Sequence, residues 1–159
     1  MSQRELEALG EPQLQIAGLR VWVHGRQFPN AMDYWDGNWL RVTAYCLCPD
    51  SRVRTHGAII HLGELVGLLR ECETLYKSVK GKAALKCIEP NLRVTLEAEW
   101  NGAIKVHIDI TPDQMSERHS FDDSIDQTYL PRIIADCESI LAVYPVREPG
   151  AGGRSKGDA

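Results

Sequence analysis

The sequence has no membrane anchor and none of the common catalytic signatures. Its apolar runs fall well short of the roughly 20 residues that a helix needs to cross a bilayer. The opening stretch MSQRELEALG is charged and has no apolar centre, so we expect no signal peptide there. No G-x-S-x-G, P-loop, G-x-G-x-x-G or H-E-x-x-H motif occurs. We therefore expect a cytoplasmic protein that is not an enzyme and does not contact membranes.

Cysteine and net charge are also limited. The five cysteines are an odd number, which favours a reduced cytosolic protein over a disulfide scaffold. The formal net charge of -4 offers no concentrated basic surface of the kind that nucleic-acid phosphates require. Direct binding of nucleic acid is therefore not expected.

The sequence does have the composition of a soluble globular protein, with 43% hydrophobic and 25% charged residues. Its 159 residues suffice for one core without metal or disulfide staples. Residues 1–12 are predicted to be a polar lead-in, with Ser2 and Glu5 at capping-box spacing. Residues 13–146 would form a single globular domain, and the Gly-rich residues 147–159 a disordered tail.

Alternating apolar residues predict antiparallel strands in the first half of the chain. Residues 14–24 alternate after Gly18, which we expect to form a β-bulge. Residues 39–48 place their even-numbered side chains on one face, and residues 52–61 read as the hairpin partner of this strand.

A second hairpin has a register that both of its faces specify. A two-residue Asn-Gly turn would set Glu97 opposite Val106 and mix the polar and apolar faces. A three-residue loop ending at a left-handed Gly102 instead sets Leu96 opposite Val106. The outward pairs are then Arg93 with Asp109, Thr95 with His107, and Glu97 with Lys105.

Helical spacing of apolar residues appears twice. Residues 62–81 have it, with Gly81 as the expected stop, and so do residues 128–145, with Thr128 as the expected N-cap and Pro131 in the first turn. The predicted fold is therefore α+β, a bent antiparallel β-sheet with two packed α-helices.

The cysteines and histidines suggest metal or nucleophilic chemistry only weakly. Cys46-x-Cys48 supplies one ligand pair where zinc sites need two, and both thiols share the core face, so packing is favoured. His56 and His61 could complete a site, but their spacing puts them on opposite strand faces. Cys72 and Cys137 lie on apolar helix stripes, where burial is expected. We predict no cofactor, no metal and no catalytic residues.

The remaining histidines are interpreted as ordinary ones. His107 lies on the solvated face of its strand opposite Thr95, where a surface histidine is the default. His24 and His119 lie near loops, and the sequence assigns them no partner.

Two polar segments have both a structural and a recognition interpretation. In FDDSIDQ, Asp122, Asp123 and Asp126 would cap the last helix, or else form an acidic contact patch. In WDGNW, Asp36-Gly37 predicts a turn, such as a hairpin tip. The flanking Trp35 and Trp39 would either be covered by another element or face outward as partner contacts.

Several motifs together resemble the WapI-like family of bacterial immunity proteins over roughly residues 14–145. They are DYWDGNWLRV, LGELVGLLREC, LKCIEPNLRVTLE, NGAIKVHIDI and DQTYLPRIIADCESILAVYP. The most distinctive positions are Asp33, Trp35, Asp36, Asn38, Trp39, Asp126, Gln127 and Tyr129.

The resemblance implies a small cytoplasmic protein that binds and neutralises a cognate polymorphic toxin, often a nuclease, without chemistry of its own. We predict the partner-binding residues to be Trp35, Asp36, Asn38, Asp122 and Asp123. One alternative is a small-molecule-binding domain or unrecognised enzyme with a sheet–helix cleft where His56, His61 or Asp126 converge. Another is a homo-oligomer assembled through the outward aromatics.

Overall fold

Eight strands form two separate antiparallel sheets in the computed structural model, which describes residues 2–148. The first sheet has the order β1-β2-β3-β4: β1 Leu14–Ile16, β2 Leu19–Arg26, β3 Trp39–Cys48 and β4 Ser51–His61. The second has the order β5-β6-β7-β8: β5 Lys82–Lys86, β6 Leu92–Ala98, β7 Ala103–Ile110 and β8 Ser120–Asp126. The α+β class is confirmed, although the strands are divided between two open sheets instead of one bent sheet.

Four helices accompany the sheets: α1 Gln3–Leu9, α2 Tyr34–Gly37, α3 Leu62–Ser78 and α4 Leu130–Val143. The two long helices, α3 and α4, are the two that the apolar spacing predicts. They pack against each other, α3 also along β5 and α4 along β1. The lead-in helix α1 begins with the expected capping box between Ser2 and Glu5.

One core joins both sheets and both long helices. Its apolar residues come from the inward faces of all strands except β8, which contributes only partly buried side chains. Cys46, Cys72 and Cys137 are fully buried in this core, as expected. Burial raises the pKa of each of these thiols to about 12, so they stay protonated and unreactive at neutral pH.

The predicted register of the β6–β7 hairpin is confirmed. Leu96 pairs with Val106, Thr95 with His107, and the remaining pairs follow the same register. The loop closes through the Glu99 amide donating to the Ala103 carbonyl at 2.8 Å, and Gly102 has a φ of 86°. The three-residue loop sets the register in which apolar side chains share one face of the hairpin and polar side chains share the other.

Gly18 is part of a turn, not a bulge. Ala17 and Gly18 form a two-residue hairpin turn that pairs Ile16 with Leu19. A Cβ at Gly18 would lie 2.3 Å from the Leu47 carbonyl oxygen, so close backbone approach requires glycine here. The bulge lies further along β2, between Val23 and Gly25.

Both long helices are bounded by residues other than those predicted. Helix α3 ends at Val79, which takes the left-handed conformation with a φ of 54°, before Gly81 is reached. Thr128 is not the N-cap of α4. It lies in a 3-10 turn, Gln127–Tyr129, which Asp126 caps by accepting from the Thr128 amide at 2.9 Å, and α4 follows with Pro131 in its first turn.

The predicted disordered tail falls largely on residues 149–159, which lie outside the described part of the chain. Among residues 2–148, no helix is both long and apolar enough to cross a membrane.

Candidate functional site

The predicted partner-binding residues occupy two separate places. Trp35, Asp36 and Asn38 lie on or beside α2, next to the start of β3 at Trp39. Asp122 and Asp123 lie on β8, where the charge of Asp123 adds to the raised pKa of Cys46 near the far end of β3. Trp39 and Cys46 are seven residues apart along β3, about 23 Å at the usual rise of a strand. The sequence gives no reason to expect this separation.

Most of the WDGNW segment lies in the short helix α2, within the connection between the paired strands β2 and β3, so a helical turn takes the place of a tight hairpin tip. Asp33 caps α2 by accepting from the Asp36 amide at 2.9 Å. Gly37 lies so close to the preceding loop that a Cβ would sit 2.4 Å from the Ala31 carbonyl oxygen. The cap and the glycine together fold the chain back onto the sheet.

Trp39 and Trp35 differ in burial although both rings contact His61 and each other. Trp39 is 7% exposed and meets the His61 ring edge to face, with centroids 5.1 Å apart. Trp35 is 51% exposed, stacks on His61 at 5.4 Å and meets Trp39 edge to face at 5.5 Å. Trp39 is therefore covered by other parts of the protein, whereas about half of Trp35 faces solvent.

His61 links α2 to the start of α3. Its Nδ1 accepts from the Gly63 amide at 3.0 Å, so Nε2 carries the proton and donates to the carbonyls of Tyr34 and Trp35 at 3.1 and 3.2 Å. The amide of His61 donates to Glu64 at 2.8 Å, which completes the capping box of α3. The imidazole is therefore fully used in holding the fold.

Asn38 is fully buried and also fully bonded. Its Nδ2 donates to the carbonyls of Tyr34 and Arg147 at 2.7 and 2.9 Å, and its Oδ1 accepts from the Arg147 amide at 2.8 Å. This side chain thus joins α2 to the segment that follows α4. It presents no surface to a partner, and its role in the structure is to position α2.

A partly buried arginine completes this junction. Arg26 donates to the carbonyls of Gly37 and Pro145. Its guanidinium carbon lies over the Tyr144 ring, 6.0 Å from the ring centroid. Burial, and then the nearby charge of Arg147, lowers the pKa of Arg26 from its very high ordinary value. We call the set of α2, Arg26, His61 and residues 145–147 the α2 junction.

The outward side of the α2 junction is apolar with acidic neighbours. Phe28, Met32 and Trp35 are all roughly half exposed or more, within eight residues of one another. Asp33 and Asp36 lie in the same segment. Exposed large apolar side chains beside charge are typical of protein contact surfaces.

The acidic segment at 121–127 is mainly a strand and not a helix cap. β8 pairs with β7 at one edge of the second sheet, and each of its residues is at least partly exposed. Of the three acids, only Asp126 caps a helical turn. Asp122 and Asp123 are exposed along the strand, where they remain candidates for partner contact.

His107 is part of a charge cluster that the sequence does not reveal. Its Nδ1 lies 2.7 Å from Asp122 and its Nε2 lies 3.1 Å from Asp109. The bond to Asp122 is the main cause that raises the pKa of His107, and the same bond lowers the pKa of Asp122. Recognising β8 as a strand paired with β7 would have exposed this cluster.

A groove of about 600 Å³ runs beside β8. Its walls are β8, the β1–β2 turn and the start of α4, with Asp123, Asp126, Tyr129 and Arg132 among the lining residues. The alternative function placed His56, His61 or Asp126 in a cleft between a sheet and a helix. Of these three, Asp126 lines this groove, whereas His56 pairs with Thr43 and His61 with Trp39 in the first sheet.

The other sequence candidates have local partners. His24 bonds the Thr43 hydroxyl at 2.7 Å, and His119 meets Glu117 at 3.1 Å. Within residues 2–148, no group of three or more His, Cys, Asp or Glu side chains is placed to hold a metal ion.

The fold and its two surfaces define a small α+β protein with exposed apolar and acidic patches. A family model described as the immunity protein WapI-like family matches residues 12–145, and the chain belongs to that family. No curated protein and no solved structure matches the chain.

Proposed function

We propose that this protein is a cytoplasmic bacterial immunity protein that binds and neutralises a cognate polymorphic toxin, such as a nuclease. The observation that supports this most is the family match, which covers residues 12–145. The protein would act by occupying the toxin and would need neither a cofactor nor catalysis of its own.

The proposed contact residues are Trp35 and Asp36 at the α2 junction and Asp122 and Asp123 on β8. All four are exposed in the free protein, and a half-exposed tryptophan is the side chain that most often dominates a protein interface. Acidic groups at both places suit a basic toxin surface, since charge complementarity speeds encounter. Salt should then lower the association rate more than it raises the dissociation rate.

The first test is co-expression with the toxin domain encoded immediately upstream of this chain. If the proposal holds, the two proteins elute together and the host survives. A folded toxin that kills the host and does not bind this protein would overturn the proposal and direct attention to ligands of the groove. Sedimentation of the free protein at micromolar concentration tests the homo-oligomer alternative in parallel.

The residue assignment needs a separate variant. Replacing Trp35, Asp36, Asp122 and Asp123 by alanine should weaken the complex strongly, whereas Asp50→Ala, in the exposed β3–β4 turn, serves as a matched acidic control. An unchanged affinity of the fourfold variant would reject these residues and leave the immunity function standing.

A further inference from the structure

The edges of the two sheets are protected differently. At the β1 edge, Asp136 of α4 accepts from the Gln15 amide at 3.2 Å. At the β5 edge, Glu71 of α3 accepts from the Ala84 amide at 3.2 Å. In both cases a carboxylate on a packed helix takes up an outward amide, so that the edge is covered by the protein itself.

β8 lies at the other edge of the second sheet, and its register shows which amides face outward. The Ile110 amide donates to the His119 carbonyl at 3.0 Å, which makes these two residues a hydrogen-bonded pair. Bonded and non-bonded pairs alternate along an antiparallel ladder, so Phe121, Asp123 and Ile125 point their backbone groups toward β7. The amides and carbonyls of Ser120, Asp122 and Ser124 therefore point to the open side.

One of these outward amides is bonded to the strand's own side chain. The Ser124 amide donates to Asp123 Oδ1 at 2.7 Å. This neighbour-to-neighbour contact occupies the donor without covering the strand, and both residues are exposed. An incoming carbonyl can replace the carboxylate without moving any packed element.

The charge along this edge selects the kind of strand that fits. β8 carries Asp122, Asp123 and Asp126, and the last two of these acids line the groove beside it together with the cation Arg132. Pairing two copies of β8 would bring these carboxylates together, and like charges opposite each other destabilise a sheet. A segment with lysine or arginine side chains would neutralise them.

We propose that β8 receives an extended basic segment of the cognate toxin as a fifth strand of the second sheet, seated against the groove between β8 and α4. This inference rests on the proposed immunity function and names the part of the partner that is recognised. Backbone hydrogen bonds would supply affinity, and the carboxylates of Asp122 and Asp123 would supply the preference for basic side chains.

Proline at position 124 tests the strand addition. Ser124→Pro removes one outward amide and leaves the ladder with β7 intact, because that amide does not point toward β7. Its matched control, Ser124→Ala, removes the hydroxyl but keeps the amide. We expect Ser124→Pro to weaken binding of the purified upstream toxin domain at least tenfold, by calorimetry, and Ser124→Ala to leave it unchanged, while both variants keep the thermal unfolding midpoint of the original protein.

Amide hydrogen exchange on the unmodified protein provides a second readout that does not depend on a variant folding. The amides of Ser120, Asp122 and Ser124 should exchange rapidly in the free protein and become protected in the complex. A tight complex with these amides still exchanging, or with Ser124→Pro binding normally, overturns the strand addition alone. Absence of any complex overturns the immunity function as well. A free protein that is already a dimer, and becomes a monomer with Ser124→Pro, would assign the edge to a second copy instead.

Discussion

The α2 junction and the β8 edge use polar groups in opposite ways. At the α2 junction, three side chains form hydrogen bonds with backbone atoms of the same chain, namely those of Asn38, His61 and Arg26. Along β8, backbone groups point to the open side, and the exposed carboxylates of Asp122 and Asp123 bond His107 and the Ser124 amide at the surface. Buried polar groups that are fully bonded fix a structure, whereas exposed ones can exchange such bonds for those of a partner.

This difference changes how the WDGNW motif is understood. Gly37, Asn38 and Trp39 are buried, and each makes a contact that another residue would not reproduce. Asp36 and half of the Trp35 ring remain outside. Much of the motif therefore folds the junction, and only its outward members are available for recognition.

The largest expected effect is on stability, at Trp39. Trp39→Ala should lower the free energy of unfolding by about 3–5 kcal/mol, because a large buried ring leaves a cavity. Trp35→Ala is the matched control, and we expect it to cost only about 1 kcal/mol, since half of its ring is already in water. Urea denaturation measures both. Equal losses would mean that the two rings are not buried to different extents in solution.

The next effect concerns Asn38. Asn38→Ala leaves the amide and the carbonyl of Arg147 without their partner, and we expect a loss of about 2–3 kcal/mol in the free energy of unfolding. The neighbouring exposed Asp36→Ala should change it by about 0.5 kcal/mol or less. If Asn38→Ala is as stable as Asp36→Ala, the bond between α2 and the segment after α4 does not hold the junction in solution.

The sequence predicts best those elements whose side chains alternate or repeat. The β6–β7 register follows from two sorted faces, and α3 from its apolar stripe, because both patterns record burial against one core. Such a pattern is missing from β8. In SFDDSID, Phe121 and Ile125 are partly buried against the core, and the exposed Asp123 lies between them on the same face. The apolar alternation is therefore broken, and the pairing with β7 leaves little trace in the sequence.

The sequence does not predict the α2 junction, for a different reason. Asn38 and Arg147 are 109 residues apart, and neither carries a local pattern that predicts the other. The turn residues of WDGNW correctly indicate a change of direction, but the form of that change depends on Gly37 against Ala31 and on the segment after α4. Tertiary contacts thus decide which aromatic ring is covered.

A charge reversal on β8 separates stability from recognition. Asp123→Lys should alter the free energy of unfolding by about 0.5 kcal/mol or less, since the side chain is exposed. The same change should slow association with a basic toxin surface by about tenfold at low salt, and by much less at high salt, because screening removes the steering. Surface plasmon resonance at two salt concentrations measures this. A slower dissociation with an unchanged association rate would contradict a steering role.

The smallest effect is the pH dependence at His107, which ties β8 to β7 through charge. Because the pKa of His107 is raised in the folded protein, its stabilising contribution is fully present below the ordinary value of about 6.5 and is lost as pH rises through the folded pKa. Asp122, whose pKa is lowered, contributes above its own ordinary value and loses its contribution as pH falls through the folded pKa.

His107→Gln should therefore remove a small decline in the free energy of unfolding between about pH 6 and pH 8. NMR titration of the His107 ring provides the more sensitive measurement. Asp122→Asn should bring the midpoint toward the ordinary value by more than Asp109→Asn does, because the bond to Asp122 is the largest cause of the shift. If Asp122→Asn leaves the titration midpoint of His107 unchanged, the contact between His107 on β7 and Asp122 on β8 is not held in solution. The exposed edge would then depend on backbone pairing and on the partly buried Phe121 and Ile125, in contrast to the α2 junction, where fully buried side chains hold the structure.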